Sequence, residues 1–206
     1  MELNLSYTYV VWDDDIQTSK RTSMKWHRVI NTIAAACLCT LPFSSNGAHC
    51  DAQTWNDTLK LQQQADQIYN YHAQRFNQLL QHHSLQPLLH QEFSPSELAT
   101  LWKNGQHASK QRMEMQIEAS QHIVQSINEE LKSIHQLNAE VVDLSEIWQL
   151  ISQHCQADKL TTNVVASYRY YQSNLELTKN IYELLNKLKL IQQSYQTEIN
   201  TLLKAQ

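Results

Sequence analysis

The sequence predicts an all-α protein, an elongated three- or four-helix antiparallel bundle with coiled-coil-like packing. Three observations carry that expectation. Breakers are nearly absent: the 206 residues include 2 Gly and 3 Pro, no proline follows Pro95, and Gly105 is the last glycine. Sheet proteins need Gly, Asn-Gly or Pro at frequent tight turns, so a run from Gln106 to Gln206 without either residue reads as helix. Apolar residues recur at spacings of three and four over long stretches, as they do when a helix buries one face. The few interruptions are short, so consecutive helices should run back along one another.

Residues 24–50 read as a secretory signal peptide. Met24-Lys25-Trp26-His27-Arg28 is a basic start, and the run from Val29 to Phe43 carries no charge. Small and polar residues from Ser44 to Ala48 follow, completing the order of a cleavable signal. The apolar run is about 15 residues, short of the roughly 20 that a membrane span needs. Cleavage near Ala48 or Ala52 fits a small residue before the cut. Residues 1–23 do not fit a signal, because Asp13-Asp14-Asp15 is acidic where positive charge is wanted. They are either a dispensable or misassigned extension before a true start at Met24, or part of a chain whose signal is internal. Two other readings stand beside export. Ala34-Ala35-Ala36-Cys37 suggests a lipoprotein signal but lacks the Leu expected before the Cys, and the whole stretch could be a core helix of a cytosolic protein.

The remaining part, 51–206, reads as the helical bundle domain. A first helix is expected from about Gln53 to about Ser84. Trp55, Leu59, Ala65, Ile68, Tyr69, Phe76, Leu79 and Leu80 form its apolar face, and Gln62, Gln63, Asp66 and Gln67 lie on the others. Pro87 interrupts, with Leu85, Leu88 and Leu89 in the connection. Ser94-Pro95-Ser96-Glu97 combines an N-cap, a proline at the first helical position and a capping-box glutamate; Leu98, Leu101 and Trp102 follow on one side. Asn104-Gly105 is a stop or kink. A long helical pattern then begins near Gln106, carried by Ile117, Val124, Ile127, Leu131 and Ile134 and resumed by Val141, Leu144, Trp148, Ile151 and Cys155. Asn138, Asp143 and Ser145 leave open whether this is one helix or two. Gln156 to Leu160 is the turn, Thr161 or Thr162 the next cap. The last helix buries Val164, Tyr168, Tyr171, Leu175, Ile181, Leu184, Leu188, Ile191, Tyr195, Ile199 and Leu202.

Composition narrows the function classes. The net charge of −4 provides no basic field for nucleic acid. Only 17% of residues are charged, so Gln, Asn, Ser, Thr and His supply the polar faces; their interleaving with regularly spaced apolar residues argues for solvated helices over disorder. Phosphate loops, nucleophile elbows and paired-carboxylate clefts are not evident, and a chain with few irregular loops has little from which to assemble a catalytic site. The expectation is therefore no enzyme and no cofactor. Ten histidines raise a metal question. Glu114, Glu118 and His122 share one stripe, but such a stripe reads first as a solvated face, and no metal site is assigned.

Two features remain as candidates. Cys50 and Cys155 would lie at the same end of an antiparallel bundle, which in an oxidising compartment favours a disulfide; cleavage at Ala52 would instead leave Cys155 a lone buried thiol. Tyr168-Arg169-Tyr170-Tyr171 has the aromatic and Arg content of binding hot spots, against the alternative that Tyr168 and Tyr171 are core and Tyr170 is surface. The functional expectation is an exported, periplasmic or secreted, non-enzymatic protein that acts through protein–protein contacts in a secretion-assembly, surface-binding or chaperone-like role. Homo-oligomerisation through the helix stripes fits the same pattern. The alternatives are a membrane-active helical toxin component or a metal-binding helical bundle.

Overall fold

The computed structural model describes residues 50–105 and 107–206. The extension at 1–23 and the signal-like segment up to residue 49 lie outside the described residues. Among the described residues the protein is all-helical, with no strand. Five helices follow one another: α1 (Ala52–Leu85), α2 (Leu89–Glu92), α3 (Pro95–Asn104), α4 (His107–Ala157) and α5 (Thr161–Ala205). None of these helices is long and apolar enough to cross a membrane.

Side-chain caps start two of the helices, α1 and α3. Asp51 caps α1: its Oδ1 accepts the backbone N–H groups of Gln53 at 2.8 Å and Thr54 at 2.9 Å, satisfying donors that a first turn leaves orphaned. The Thr54 backbone and hydroxyl hydrogen bonds hold the Asp51 carboxyl below its usual range. Ser94 and Glu97 form the expected capping box, with Ser94 N–H donating to Glu97 at 2.8 Å and Glu97 N–H to the Ser94 hydroxyl at 3.3 Å. The connection after Pro87 contains one turn of helix, α2, that its short apolar run did not announce.

One open question about the long helices is answered and one expectation is corrected. The possible break does not exist: Asn138, Asp143 and Ser145 lie inside a single 51-residue helix. The Ser145 hydroxyl donates to the Val141 carbonyl oxygen at 2.9 Å, so it is engaged within α4 and caps nothing. Neither Thr161 nor Thr162 caps α5. Leu160 holds the N-cap position without a side-chain bond, because the chain enters α5 directly from the turn that closes α4. In that turn Leu160 N–H donates to Cys155 O at 2.9 Å and Lys159 N–H to Gln156 O at 3.1 Å. This is the Schellman pattern, with Lys159 in the left-handed region at φ 60°.

α4 and α5 run antiparallel as a pair. Ser152 is bonded to Val164 O, Asn138 to Tyr182 and Asn128 to Gln192, so rising numbers in one helix meet falling numbers in the other. Both helices bury a row spaced at seven residues: Met113, Ser120, Ile127, Ile134, Val141, Trp148 and Cys155 on α4, and Ser167, Asn174, Ile181, Leu188, Tyr195 and Leu202 on α5. α1 lies along this pair antiparallel to α4, since Trp55 meets Trp148 while His72 meets Glu130. At the other end α3 inserts Leu98, fully buried, among Met113, Ile117, Ile199 and Leu202. Burial of such a side chain is worth roughly 1.5–3 kcal/mol.

The observed rows shift some stripe assignments. Ile68 is exposed on α1, and Tyr168 and Leu175 are exposed on α5. Their places inside are taken by polar side chains: Thr58, Gln62 and His72 on α1, Ser167 and Asn174 on α5. Gln62, read as surface from its composition class, is 2% exposed.

Candidate interaction surface and the disulfide end

α1 begins beside the end of α4, and there the two candidate cysteines are joined. Cys50 and Cys155 form a disulfide with an S–S distance of 1.97 Å and Cα atoms 5.0 Å apart. Cys155 is fully buried and Cys50 half-buried, next to Asn163. Inward from the bond lies an aromatic layer. Trp148, fully buried, meets Trp55 edge-on at 5.2 Å and stacks on Tyr170 at 4.5 Å.

Beneath that layer sits a buried amide cluster. Gln62 Oε1 accepts from Trp148 Nε1 at 3.0 Å and from Asn174 Nδ2 at 3.0 Å. Gln62 Nε2 donates to Asn174 Oδ1 at 2.9 Å and to Asp66 at 3.2 Å. Every polar atom of the two amides is thereby engaged across three helices, which is what makes burying them tolerable. Burial holds the Asp66 carboxyl above its usual range, with the Gln62 amide opposing the shift, and burial beside Asp66 pushes the Tyr170 phenol up as well.

The Tyr168-Arg169-Tyr170-Tyr171 candidate divides between inside and outside. Tyr170 belongs to the aromatic layer and Tyr171 is half-buried, while Tyr168 and Arg169 are exposed. The alternative with Tyr168 in the core and Tyr170 on the surface is thus reversed for both residues. Tyr168 and Tyr171 remain in contact, their rings 5.9 Å apart.

Helical geometry extends this surface. On α4 the buried row has two flanks. Glu130, Leu137, Leu144 and Ile151 stand on one, where Glu130 meets α1; Leu131, Asn138 and Ser145 stand on the other, where Asn138 meets Tyr182. The second flank faces away from α1 and is not covered by it. Along it α4 presents Val142, and α5 presents Tyr168, Leu175 and Tyr182, with exposures between 39% and 54%. Asn138 Oδ1 and Thr178 Oγ1 lie just beneath without a hydrogen-bond partner. None of these residues carries a charge.

Two further polar clusters have members that the apolar stripes do not single out. His72, buried, pairs through Nδ1 with Glu130 at 2.7 Å, and Arg75 reaches the other carboxylate oxygen at 3.0 Å. Glu198, fully buried, accepts Leu89 N–H and His90 N–H, each at 2.8 Å, and His90 Nδ1 at 2.6 Å. The signal that could have found them is the spacing of seven itself, since His72 lies between Ala65 and Leu79 and Glu198 follows Leu177, Leu184 and Ile191. Both carboxylates bind their own chain and so act as internal fasteners. Glu114, Glu118 and His122 are all exposed, and no group of three metal-ligating side chains occurs among the described residues.

Compared with protein-family models, with curated proteins and with solved structures, the chain has no significant match in any of the three.

Proposed function

We propose that this is an exported, non-enzymatic helical protein that works by binding another protein along the flank of the α4/α5 pair left open by α1. The observation that carries the reading is the run of exposed aromatic and aliphatic side chains on that flank at Tyr168, Leu175, Tyr182 and Val142. Interface centres are enriched in Tyr. The rows of buried residues at strict sevens favour a gently supercoiled, elongated three-helix bundle packed like a coiled coil. The Cys50–Cys155 bond favours an oxidising compartment, in line with the signal-like order of residues 24–50.

The test is a photo-crosslinking amino acid placed at Tyr168 or Tyr182 in the producing cells, with Gln67 on the outer face of α1 as control. Discrete protein adducts at the first two positions and none at Gln67 are the expected result. Identical patterns at all three positions, or adducts at none, overturn the proposed surface. Dye release from liposomes by the purified chain would overturn the reading in favour of a membrane-active protein.

A further inference from the structure

We propose that the Cys50–Cys155 disulfide is a redox latch on the N-terminal half of α1. With the bond intact this half lies closed over α4 and α5; on reduction it lifts and uncovers Trp148, Tyr170 and Asn174.

The two halves of α1 are held differently. From Tyr69 onward the inner face offers Tyr69, Phe76, Leu79 and Leu80 to the core, and the His72–Glu130–Arg75 cluster pins the helix at its middle. Before that point the fully buried inner positions are Thr58, Gln62 and Ala65, Trp55 and Leu59 pack against the core only partly buried, and Leu61 and Ile68 point outward. The threonine, amide and methyl group remove little apolar surface from water, so the apolar hold of this half rests on Trp55, edge-on to Trp148, and Leu59, with no fully buried large apolar side chain to match Phe76. The Thr58 hydroxyl is bonded within its own helix, to Thr54 O at 2.7 Å, and adds nothing across the interface. The Gln62 hydrogen bonds fix the register of α1, but water can replace them once the helix lifts, so their net contribution is modest.

To this packing the disulfide adds a tethered end. With Cys50 bonded to Cys155 and His72 bonded to Glu130, the segment between them is fixed at both ends. It cannot fray, because opening would have to form a strained closed loop. Without the disulfide, residue 52 becomes the start of a helix held only by its packing, and helix ends of that kind open locally at free energies well below the global one.

The step requires a dithiol reductant. One of its thiolates attacks Cys50 Sγ, the half-buried sulfur, and the Cys155 thiolate leaves and takes a proton. The second thiol then displaces Cys50 from the mixed disulfide. Two electrons and two protons pass to the cysteines, and the reductant ends as its own disulfide. Cys155, fully buried, stays inside throughout.

Hydrogen exchange and tryptophan emission on the full chain, before and after treatment with a dithiol, test the latch. Amides of α1 before Tyr69 should exchange faster by on the order of tenfold or more, those after His72 should be unchanged, and emission should move to the red. Reoxidation should restore both, and Cys50→Ser should show the reduced pattern without reductant. Glu130→Gln should carry the loss of protection further along α1 once the bond is reduced. Unchanged exchange in α1 overturns the proposal. So does a loss spread evenly over α1, α4 and α5, which would make the disulfide a global stabiliser and no latch.

Discussion

The α4/α5 pair is closed differently at its two ends. At the turn end, the covering chain is tied down covalently by Cys50–Cys155, and the packing beneath it is aromatic and amide: Trp55, Trp148, Tyr170, Gln62 and Asn174. At the open end no covalent tie occurs among the described residues, and a carboxylate fastens the covering chain. Glu198 gathers both leading N–H groups of α2 and the His90 ring, while Leu98 of α3 fills an aliphatic cluster. At the second end the chain crosses in a short helix, α2. The comparison sets an aromatic and amide layer under a covalent tether against an aliphatic cluster under a carboxylate hub. Where there is no tether, both a strong hydrogen-bond hub and dense aliphatic packing are present.

The largest effect should follow from emptying the aromatic layer. Trp148→Ala removes a fully buried ring, takes the partners from Trp55 and Tyr170, and leaves Gln62 Oε1 one donor short. A loss of about 5 kcal/mol in urea unfolding is expected, at the upper end for aromatic truncation. If the cost were no greater than that of an isolated leucine truncation, the turn end would be held by the disulfide alone. Next comes Glu198→Ala, which strips three donors of a buried acceptor. It should cost about 3 kcal/mol and release α2 and α3, seen as exchange confined to residues 89–104. A neutral result would mean that Leu98 and its neighbours hold the open end without the carboxylate.

Much of this arrangement was legible in the residues. The scarcity of Gly and Pro set the long helices, Ser94-Pro95-Ser96-Glu97 marked the start of α3, and the reversal near Asp158 implied that Cys50 and Cys155 share an end. What stayed hidden was the buried polar set. Reading amphipathicity from apolar residues assigns Gln62, His72, Asn174 and Glu198 to the surface, because an unpaired amide or carboxylate inside is costly. Each is tolerated because partners more than fifty residues away in the chain complete its hydrogen bonds, and no local pattern reveals such partners. The same habit displaced the α5 stripe. Following aromatics put Tyr168 and Leu175 inside, whereas the row at sevens runs through Ser167 and Asn174. The exposed tyrosines, and with them the candidate surface, became visible only once that register was known.

Smaller effects probe the turn end from its two edges. Lys159 occupies the left-handed position of the Schellman turn, which glycine adopts without the Cβ penalty. Lys159→Gly should therefore stabilise the protein by about 1 kcal/mol, read as a higher urea midpoint with an unchanged slope. No gain would mean that the lysine makes contacts that offset its backbone strain.

The smallest effect is expected at Asp66, where only the difference between a half-buried carboxylate and an amide is at stake. Burial raises the pKa of this group above the ordinary value of 3.8, and the Gln62 amide works against the rise. A carboxyl whose folded pKa is raised binds its proton more tightly in the native state than in the unfolded one. Stability therefore falls as pH rises from the unfolded value through the folded one, and it stays lower above that window. Asp66→Asn removes the charge while preserving a group that can accept from Gln62. The variant should be slightly more stable than the parent at neutral pH. The gain should shrink through the acid range and vanish below pH 3.8, where the parent carboxyl is protonated in both states. Thermal unfolding of both chains across that range decides the matter. An Asn variant less stable than the parent at neutral pH would show that the carboxylate charge favours the amide cluster, and that the turn end gains from electrostatics what the open end takes from Glu198.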